Sequence, residues 1–139
     1  MECTIRWSGE GMSFIAETGS NHLIAMDGAP DGGGRNLAPR PMETVLAGAG
    51  GCTAYDVVVI LKKSGQDVTG CEVRLEAERA QTDPKVFTRI HYRFTVRGRN
   101  LKRNVVEQAV RLSHEKYCSA TAILEKTAQI TRELEILEG

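Results

Sequence analysis

Residues 41–64 read PMETVLAGAGGCTAYDVVVILKKS, and this stretch decides the fold. Its apolar residues recur at helical spacing: Met42, Val45, Leu46, Ala49, Cys52, Val57, Ile60 and Leu61. Pro41 suits the first position of a helix, and Gly65 lies where glycine commonly ends one. The run from residue 57 to residue 61 is apolar on every side, which is typical of a buried helix. We therefore predict a buried central helix over residues 41–64.

The residues on either side of this helix predict strands. Polar and apolar residues alternate over residues 2–7, and short strands are expected at 12–18 and 22–26, which makes an antiparallel meander. Residues 27–40, rich in glycine and proline, form one long loop. After the helix, the alternation over 71–77 and 86–97 predicts an antiparallel hairpin with the apolar residues facing inward.

The last part of the chain returns to helical spacing and then to alternation. Asn100 is expected to cap a helix over 101–116, the pair Cys118-Ser119 interrupts it, and a short helix follows to about residue 126. Residues 127–137 alternate as a final strand. The pattern predicts one α+β domain over residues 1–139, with antiparallel sheets around the central helix. A helix that is apolar all round also predicts a homodimer, in which two central helices share a core.

Composition excludes several classes of protein. The 139 residues carry 18 basic and 18 acidic side chains, so there is no basic surplus of the kind that nucleic-acid binding needs. The first ten residues include charged side chains, which fits no signal peptide, and no apolar run approaches the ~20 residues of a membrane span. We expect a cytoplasmic protein with neither a membrane nor a nucleic acid as its partner.

The four cysteines fall into two pairs by context. Cys3 and Cys71 take inward positions of predicted strands, as packed core residues do. Cys52 follows two glycines in the central helix, and Cys118 stands at a helix break, where backbone N–H groups favour a thiolate. Spacing alone leaves a packing role open for both. It also lacks the close cysteine pairs of zinc sites, so no structural metal is expected.

Two motifs then carry a resemblance. Residues 39–52, PRPMETVLAGAGGC, and residues 116–119, KYCS, resemble the two cysteine motifs of the OsmC/Ohr family, the osmotically inducible and organic hydroperoxide resistance proteins. The order of strands and helices matches that family over essentially the whole chain. The residues around the first motif resemble the YhfA-like branch more closely. The resemblance implies an OsmC-like fold and an intertwined homodimer with its active sites at the interface.

The resemblance also implies a chemistry. Cys52 would attack an organic hydroperoxide and become a sulfenic acid, and Cys118 would condense with it to a disulfide. An external dithiol of the dihydrolipoyl type would reset the pair, with no bound cofactor or metal. The peroxidase branch has a glutamate ten residues before the cysteine, where this chain has Met42, so Glu43 is the candidate carboxylate. Arg35 and Arg40 are the candidates for the family's thiolate-stabilising arginine.

Two further residues bear on that chemistry. Asp56 lies one turn after Cys52, where an unpaired carboxylate would raise the thiol pKa, and His114 lies four residues before Cys118 as either a base or a surface residue. The sequence therefore predicts a thiol peroxidase using Cys52 and Cys118. The alternatives are a non-enzymatic dimer that binds a small apolar ligand or senses oxidants, and a protein whose cysteines serve stability alone.

Overall fold

The computed structural model describes residues 1–139. The strands are β1 (Cys3–Trp7), β2 (Phe14–Thr18), β3 (Leu23–Met26), β4 (Asp67–Arg79), β5 (Phe87–Arg99) and β6 (Gln129–Glu138). The helices are α1 (Pro41–Lys63), α2 (Arg103–Leu112) and α3 (Ser119–Leu124), with a 3₁₀ turn at Pro30–Gly32 and a π-helical segment at Ser113–Tyr117. The chain divides into two compact units, Met1–Ala47 and Gly48–Gly139. The predicted α+β class is confirmed.

The first unit contains the predicted meander. β2 pairs with β1 and β3 in antiparallel fashion, with Cys3 opposite Thr18 and Phe14 opposite Met26. β1 is exposed along its whole length, so the expectation that Cys3 packs in a core is wrong. The physical reason is that both faces of β1 stay open to solvent in the single chain. Alternation predicted the strand correctly but could not show that either face would be covered.

The predicted loop over residues 27–40 is held by one carboxylate. Asp27 is buried and accepts hydrogen bonds from the backbone N–H groups of Gly28 (2.7 Å), Arg35 (3.3 and 3.4 Å) and Leu37 (3.2 Å). These bonds, with the Gly28 N–H first, lower the pKa of the Asp27 carboxyl against the opposing effect of burial. The loop therefore has a fixed shape, with a buried anion at its start.

The second unit is built on a three-stranded sheet with the order β4-β5-β6. β4 and β5 form the predicted antiparallel hairpin, with Val73 opposite Phe94. β6, however, pairs with β5 in parallel, with Phe94 opposite Leu134, so the expectation of purely antiparallel sheets needs correction. The chain passes through α2 and α3 between β5 and β6, and a helical crossover returns it in the same direction.

The inward face of β5 supplies the core of this unit, as the alternation predicted. Its buried residues are Ile90, Tyr92, Phe94 and Val96. Arg93, between two of them, lies on the outer face and pairs with Glu133 at 2.8 Å and with Glu76 at 3.5 Å. These ion pairs are half-exposed and contribute ~1 kcal/mol or less each.

Helix α1 ends one residue before the predicted boundary, and it is buried on one face only in the single chain. Its buried residues are Ala49, Gly50, Thr53, Val57 and Leu61. A Cβ at Gly50 would lie 2.8 Å from Cδ1 of Leu75, so glycine allows the helix to approach β4 closely. Other apolar side chains stay exposed, including Tyr55 at 72%. The expected burial on all sides therefore does not occur within one chain.

Length and composition alone would also let α1 cross a membrane, and 28% of its most apolar part is buried. A core helix of a water-soluble protein passes the same test. One face of α1 packs against Leu75 through Gly50, as a face of a core helix does.

The segment after β5 differs from the predicted single helix over 101–116. Asn100 has a left-handed backbone with φ of 51°, and Lys102 takes the N-cap position without a side-chain cap. Asparagine tolerates this conformation, and its N–H donates to the carboxylate of Glu138 instead. α2 ends at Leu112, and a π-helical turn over Ser113–Tyr117 leads to the predicted break at Cys118.

Candidate active site around Cys52 and Cys118

The fold of the second unit brings together two cysteines that are 66 residues apart in sequence. Sγ of Cys52, Sγ of Cys118 and a carboxylate oxygen of Asp56 lie within 4.8 Å of one another. We call these three residues the cysteine cluster. Both thiols are free, and closing them into a disulfide of about 2.05 Å would move the sulfurs together by less than about 3 Å.

Helix α1 supplies two members of the cluster. Cys52 and Asp56 are four residues apart, so they lie one above the other on the same helix face. Both are half-buried, while Thr53 beside them is buried at 2% exposure. Gly51 is exposed and has open space where a side chain would be. The Cys52 sulfur is therefore reachable from solvent at a position where the helix carries little bulk.

The π-helical turn and the start of α3 place Cys118. Its backbone N–H donates to the carbonyl of Ser113 at 2.7 Å, which closes the wide turn. Cys118 is then the N-cap of α3, and its sulfur accepts hydrogen bonds from the Thr121 N–H at 3.4 Å and the Thr121 hydroxyl at 3.1 Å. The side chain is 2% exposed. This sulfur is fixed and screened from water.

Two separate pairs of hydroxyl groups adjoin the cysteine cluster. The hydroxyls of Thr53 and Ser113 lie 2.7 Å apart, and the Ser113 hydroxyl donates to Oδ2 of Asp56 at 3.0 Å. On the other side of Cys118, the Thr121 hydroxyl lies 3.1 Å from the Tyr92 hydroxyl. Ser113 and Thr121 are buried, so these bonds are protected from water. They orient Asp56 and Cys118 from behind.

The two thiols differ in environment. Burial raises the pKa of the Cys118 thiol, the two Thr121 hydrogen bonds lower it in part, and the neighbouring Cys52 raises it again. Burial likewise raises the pKa of Tyr92, so its hydroxyl stays protonated. Cys118 is thus a buried thiol in its protonated form at neutral pH, beside a more accessible partner.

The other predicted site residues belong to the first unit and have partners there. Glu43 accepts a hydrogen bond from the backbone N–H of Arg40 at 2.9 Å, as the third residue of a helix does in a capping box. The Arg40 guanidinium donates to Asn36 at 2.6 Å, and that of Arg35 pairs with Glu10 at 3.1 Å. That any of these three residues acts on the Cys52 thiolate stays a prediction.

His114 has close partners of its own. Its Nε2 lies 3.2 Å from the Glu125 carboxylate, and its Nδ1 contacts the Arg132 guanidinium. The side chain is 21% exposed, less than a surface histidine would be. Cys71, by contrast, is half-buried on β4, with its pKa raised by burial.

Sequence reasoning missed four polar contributors to this site, among them Thr53 next to Cys52. Thr121 stands three residues after Cys118, where a hydroxyl beside a helix cap is a recognisable local signal. Tyr92 and Ser113 had no signal, because only the packing of β5 and the π-helical turn brings them to the sulfurs.

Comparisons with known proteins agree with this fold. The family model described as "OsmC-like protein" matches residues 32–133. Protein YhfA of Escherichia coli strain K12 is 48% identical over 137 residues, which cover 99% of this chain and 98% of YhfA.

Solved structures extend the likeness. One from Aquifex aeolicus VF5 is 28% identical with a TM-score of 0.85, over 99% of this chain and 96% of that one. A crystal structure from Legionella pneumophila, described as an organic hydroperoxide resistance protein OsmC, has a TM-score of 0.68 at 15% identity over 97% of each chain. On the family match and the identity to YhfA together, the chain belongs to the OsmC-like protein family.

Proposed function

We propose that this protein is a thiol-dependent peroxidase that reduces organic hydroperoxides through Cys52 and Cys118. The observation that carries the proposal is the pair of free sulfurs, within 4.8 Å of one another, of which one is accessible and the other buried. The description of the Legionella pneumophila relative as an organic hydroperoxide resistance protein supports the same class of substrate.

In the first step the more accessible sulfur reacts. The Cys52 thiolate attacks one oxygen of the hydroperoxide, the O–O bond breaks, and the alkoxide takes up a proton to leave as an alcohol. Sulfur is oxidised by two electrons to a sulfenic acid, and the peroxide is reduced by the same two. Cys52 suits this step because its sulfur is half-exposed beside the open position at Gly51.

In the second step Cys118 resolves the sulfenic acid. Its sulfur attacks the Cys52 sulfur, the S–O bond breaks, and the oxygen leaves as water. Cys118 must first lose its proton, and its raised pKa means that a base has to take it. The Asp56 carboxylate lies within 4.8 Å of both sulfurs, so we propose that it accepts this proton and then returns it to the departing hydroxide.

The third step regenerates the dithiol. An external dithiol attacks one sulfur of the Cys52–Cys118 disulfide, and its second thiol closes a ring that releases the reduced protein. A dihydrolipoyl group is the reductant that we propose. This exchange requires no bound cofactor.

Three residues of the first unit complete the proposal. Glu43 is the candidate carboxylate in place of the family glutamate, because Met42 stands at that position, and Arg40 and Arg35 are the candidate cations for the thiolate. The contacts that they make within their own unit leave a direct role or a capping role open to experiment.

We further propose that the protein is a cytoplasmic homodimer. Large apolar side chains on α1 remain exposed in the single chain, with Val45 at 46% and Tyr55 at 72%. A second copy that covered α1 would bury this surface and give the helix the full burial that its sequence predicts.

On the same surface of α1 that a second copy would cover, a groove in the single chain favours a second candidate function, the binding of a small apolar ligand. It measures about 470 Å³, and its lining is mainly apolar: Gly51, Ala54, Tyr55, Val58, Val59, Lys62 and Cys71. If this is the function, an apolar ligand will bind without any consumption of peroxide.

Peroxide consumption with dihydrolipoamide as reductant tests the main proposal. Cumene hydroperoxide and hydrogen peroxide are compared as substrates for the wild type, Cys52→Ser and Cys118→Ser. We expect wild-type turnover with a preference for the organic peroxide, and none for Cys52→Ser. If the wild type consumes peroxide no faster than Cys52→Ser, the peroxidase proposal is contradicted, and ligand binding in the groove on α1 is the next function to test.

A further inference from the structure

The donor atoms of the cysteine cluster also have the arrangement of a metal site. Two sulfurs and a carboxylate oxygen lie within 4.8 Å of one another around a common point. Ligands at about 2.0–2.3 Å from a tetrahedral Zn²⁺ are a little under about 4 Å apart. Side-chain rotations that move each donor by less than about 1 Å would therefore bring all three onto one ion.

The types of donor decide which cation would fit. Two thiolates are soft ligands that select Zn²⁺ and its heavier analogue Cd²⁺, whereas Mg²⁺ and Ca²⁺ require oxygen ligands. Cys52 and Asp56 are both half-buried, which leaves room on the solvent side for a water as the fourth ligand. This is the open coordination of a zinc site with three protein ligands.

Groups behind the cluster already orient two of the donors. The Thr121 N–H and hydroxyl donate to Sγ of Cys118, and the Ser113 hydroxyl donates to Oδ2 of Asp56. Hydrogen bonds of this kind fix the direction of metal ligands and stabilise their charged forms. The Ser113 bond leaves free lone pairs on the Asp56 carboxylate for an ion.

We propose that the reduced cluster binds one thiophilic divalent cation, Zn²⁺ or Cd²⁺, through Cys52, Cys118 and Asp56. Only a deprotonated sulfur coordinates the ion, so binding releases the protons that the thiols carry. The inference goes beyond the peroxidase proposal, since it involves no peroxide. A bound cation would slow the peroxidase reaction, because coordination withdraws electron density from the sulfur that attacks the peroxide.

The cluster escapes detection in the sequence, where zinc sites show closely spaced ligands. Cys52 and Asp56 are four residues apart, but the third ligand comes 62 residues after Asp56. The sequence predicts no metal, and this proposal departs from that prediction because only the fold brings Cys118 to Cys52 and Asp56.

The experiment uses a Cys3→Ser, Cys71→Ser variant, which removes the two thiols outside the cluster. The reduced protein is titrated with Cd²⁺ and followed by thiolate-to-metal charge-transfer absorption, and with Zn²⁺ by calorimetry in two buffers of different ionisation enthalpy. We expect one ion per chain, with protons released on binding. Absence of stoichiometric binding by the reduced protein would overturn the proposal.

Variants in the same background identify the ligands. Cys52→Ser and Cys118→Ser should each weaken binding by more than about 100-fold, and Asp56→Asn by about 10- to 100-fold, the range that even an outer-shell change can cause. Asp67→Asn, the matched change at an exposed carboxylate that pairs with Arg99 at the start of β4, should leave the affinity unchanged. Equal affinity for Asp56→Asn and its parent would overturn the three-donor site.

A second measurement covers the case in which Cys118→Ser fails to fold. Disulfide formation between Cys52 and Cys118 by diamide leaves the sequence intact and should abolish Cd²⁺ binding, with recovery on reduction. Unchanged binding by the oxidised protein would contradict the proposal. A protein that binds the cation but consumes no peroxide would contradict the peroxidase proposal alone. A protein that consumes peroxide but binds no cation would contradict the metal-site proposal alone.

Discussion

Asp27 and Asp56 show two opposite uses of a carboxylate in one chain. Asp27 is 2% exposed and accepts hydrogen bonds from three backbone N–H groups, so its oxygens are committed to the shape of the loop. Asp56 is half-buried and accepts a hydrogen bond from the Ser113 hydroxyl, with two sulfurs nearby. A carboxylate saturated by backbone donors fixes structure, whereas one with free lone pairs beside thiols can take a proton or a cation.

The cysteines repeat this contrast. Burial raises the pKa of both Cys71 and Cys118. Only Cys118 has a second thiol and a carboxylate within 4.8 Å. Burial alone makes a cysteine inert, and it is the neighbouring groups that give Cys118 a partner to react with.

The largest expected effect separates the two kinds of cysteine. Cys52→Ser should reduce peroxide consumption to the level of a protein-free control, because serine cannot form the sulfenic acid. Cys71→Ser, the matched change at a half-buried cysteine outside the cluster, should retain the wild-type rate. The check is the steady-state rate with cumene hydroperoxide and dihydrolipoamide. Equal loss in the two variants would mean that the rate depends on packing rather than on the cluster.

Cys118→Ser should separate the two chemical steps. Cys52 can still react once, so we expect a burst of one equivalent of alcohol per chain followed by little turnover. A dimedone adduct on Cys52, detected by mass spectrometry, would identify the trapped sulfenic acid. Sustained turnover at the wild-type rate would show that Cys118 does not resolve the intermediate.

The two carboxylates should differ in their effect on stability. Asp27→Asn should lower the thermal midpoint at neutral pH, because an amide oxygen is a weaker acceptor than a carboxylate for the three backbone N–H groups. Asp56→Asn should change the midpoint less and affect oxidation of the cysteine pair more. Thermal unfolding of both variants and of the wild type measures the first effect.

The pH dependence of that difference has a definite sign. The pKa of Asp27 is lowered in the folded protein, with the Gly28 N–H as the main cause. Its contribution to the free energy of unfolding is therefore present above the unfolded pKa of about 4, and it is lost as the pH falls through the lower folded value. The difference in thermal midpoint between the wild type and Asp27→Asn should become smaller below about pH 4. A gap that widens in acid would contradict this assignment.

The smallest effect concerns the start of α1. Glu43→Ala should destabilise the protein by about 0.5–1 kcal/mol, because the Arg40 N–H loses its acceptor and the helix loses a favourable charge. Glu43→Gln keeps the capping hydrogen bond and should lower the free energy of unfolding by less than Glu43→Ala does. Urea unfolding measures these differences. If Glu43→Gln is stable but consumes peroxide slowly, Glu43 takes part in the reaction rather than in capping alone.

Local sequence patterns predicted the helices and strands, but only the fold determined which residues pack against them. Periodicity located α1 to within one residue, and alternation identified the inward residues of β5. The same alternation placed Cys3 in a core, because a pattern of side chains cannot show whether another layer covers the face. The parallel pairing of β6 and the position of Ser113 depend on contacts far apart in sequence.

The most direct test of the central claim is a map of the disulfide formed by one equivalent of cumene hydroperoxide. The reduced protein is treated, alkylated without reduction, digested and analysed by mass spectrometry. We expect a single Cys52–Cys118 linkage within one chain, with Cys3 and Cys71 recovered as alkylated thiols. Free Cys52 and Cys118 after treatment, or a disulfide that joins either of them to Cys3 or Cys71, would contradict it.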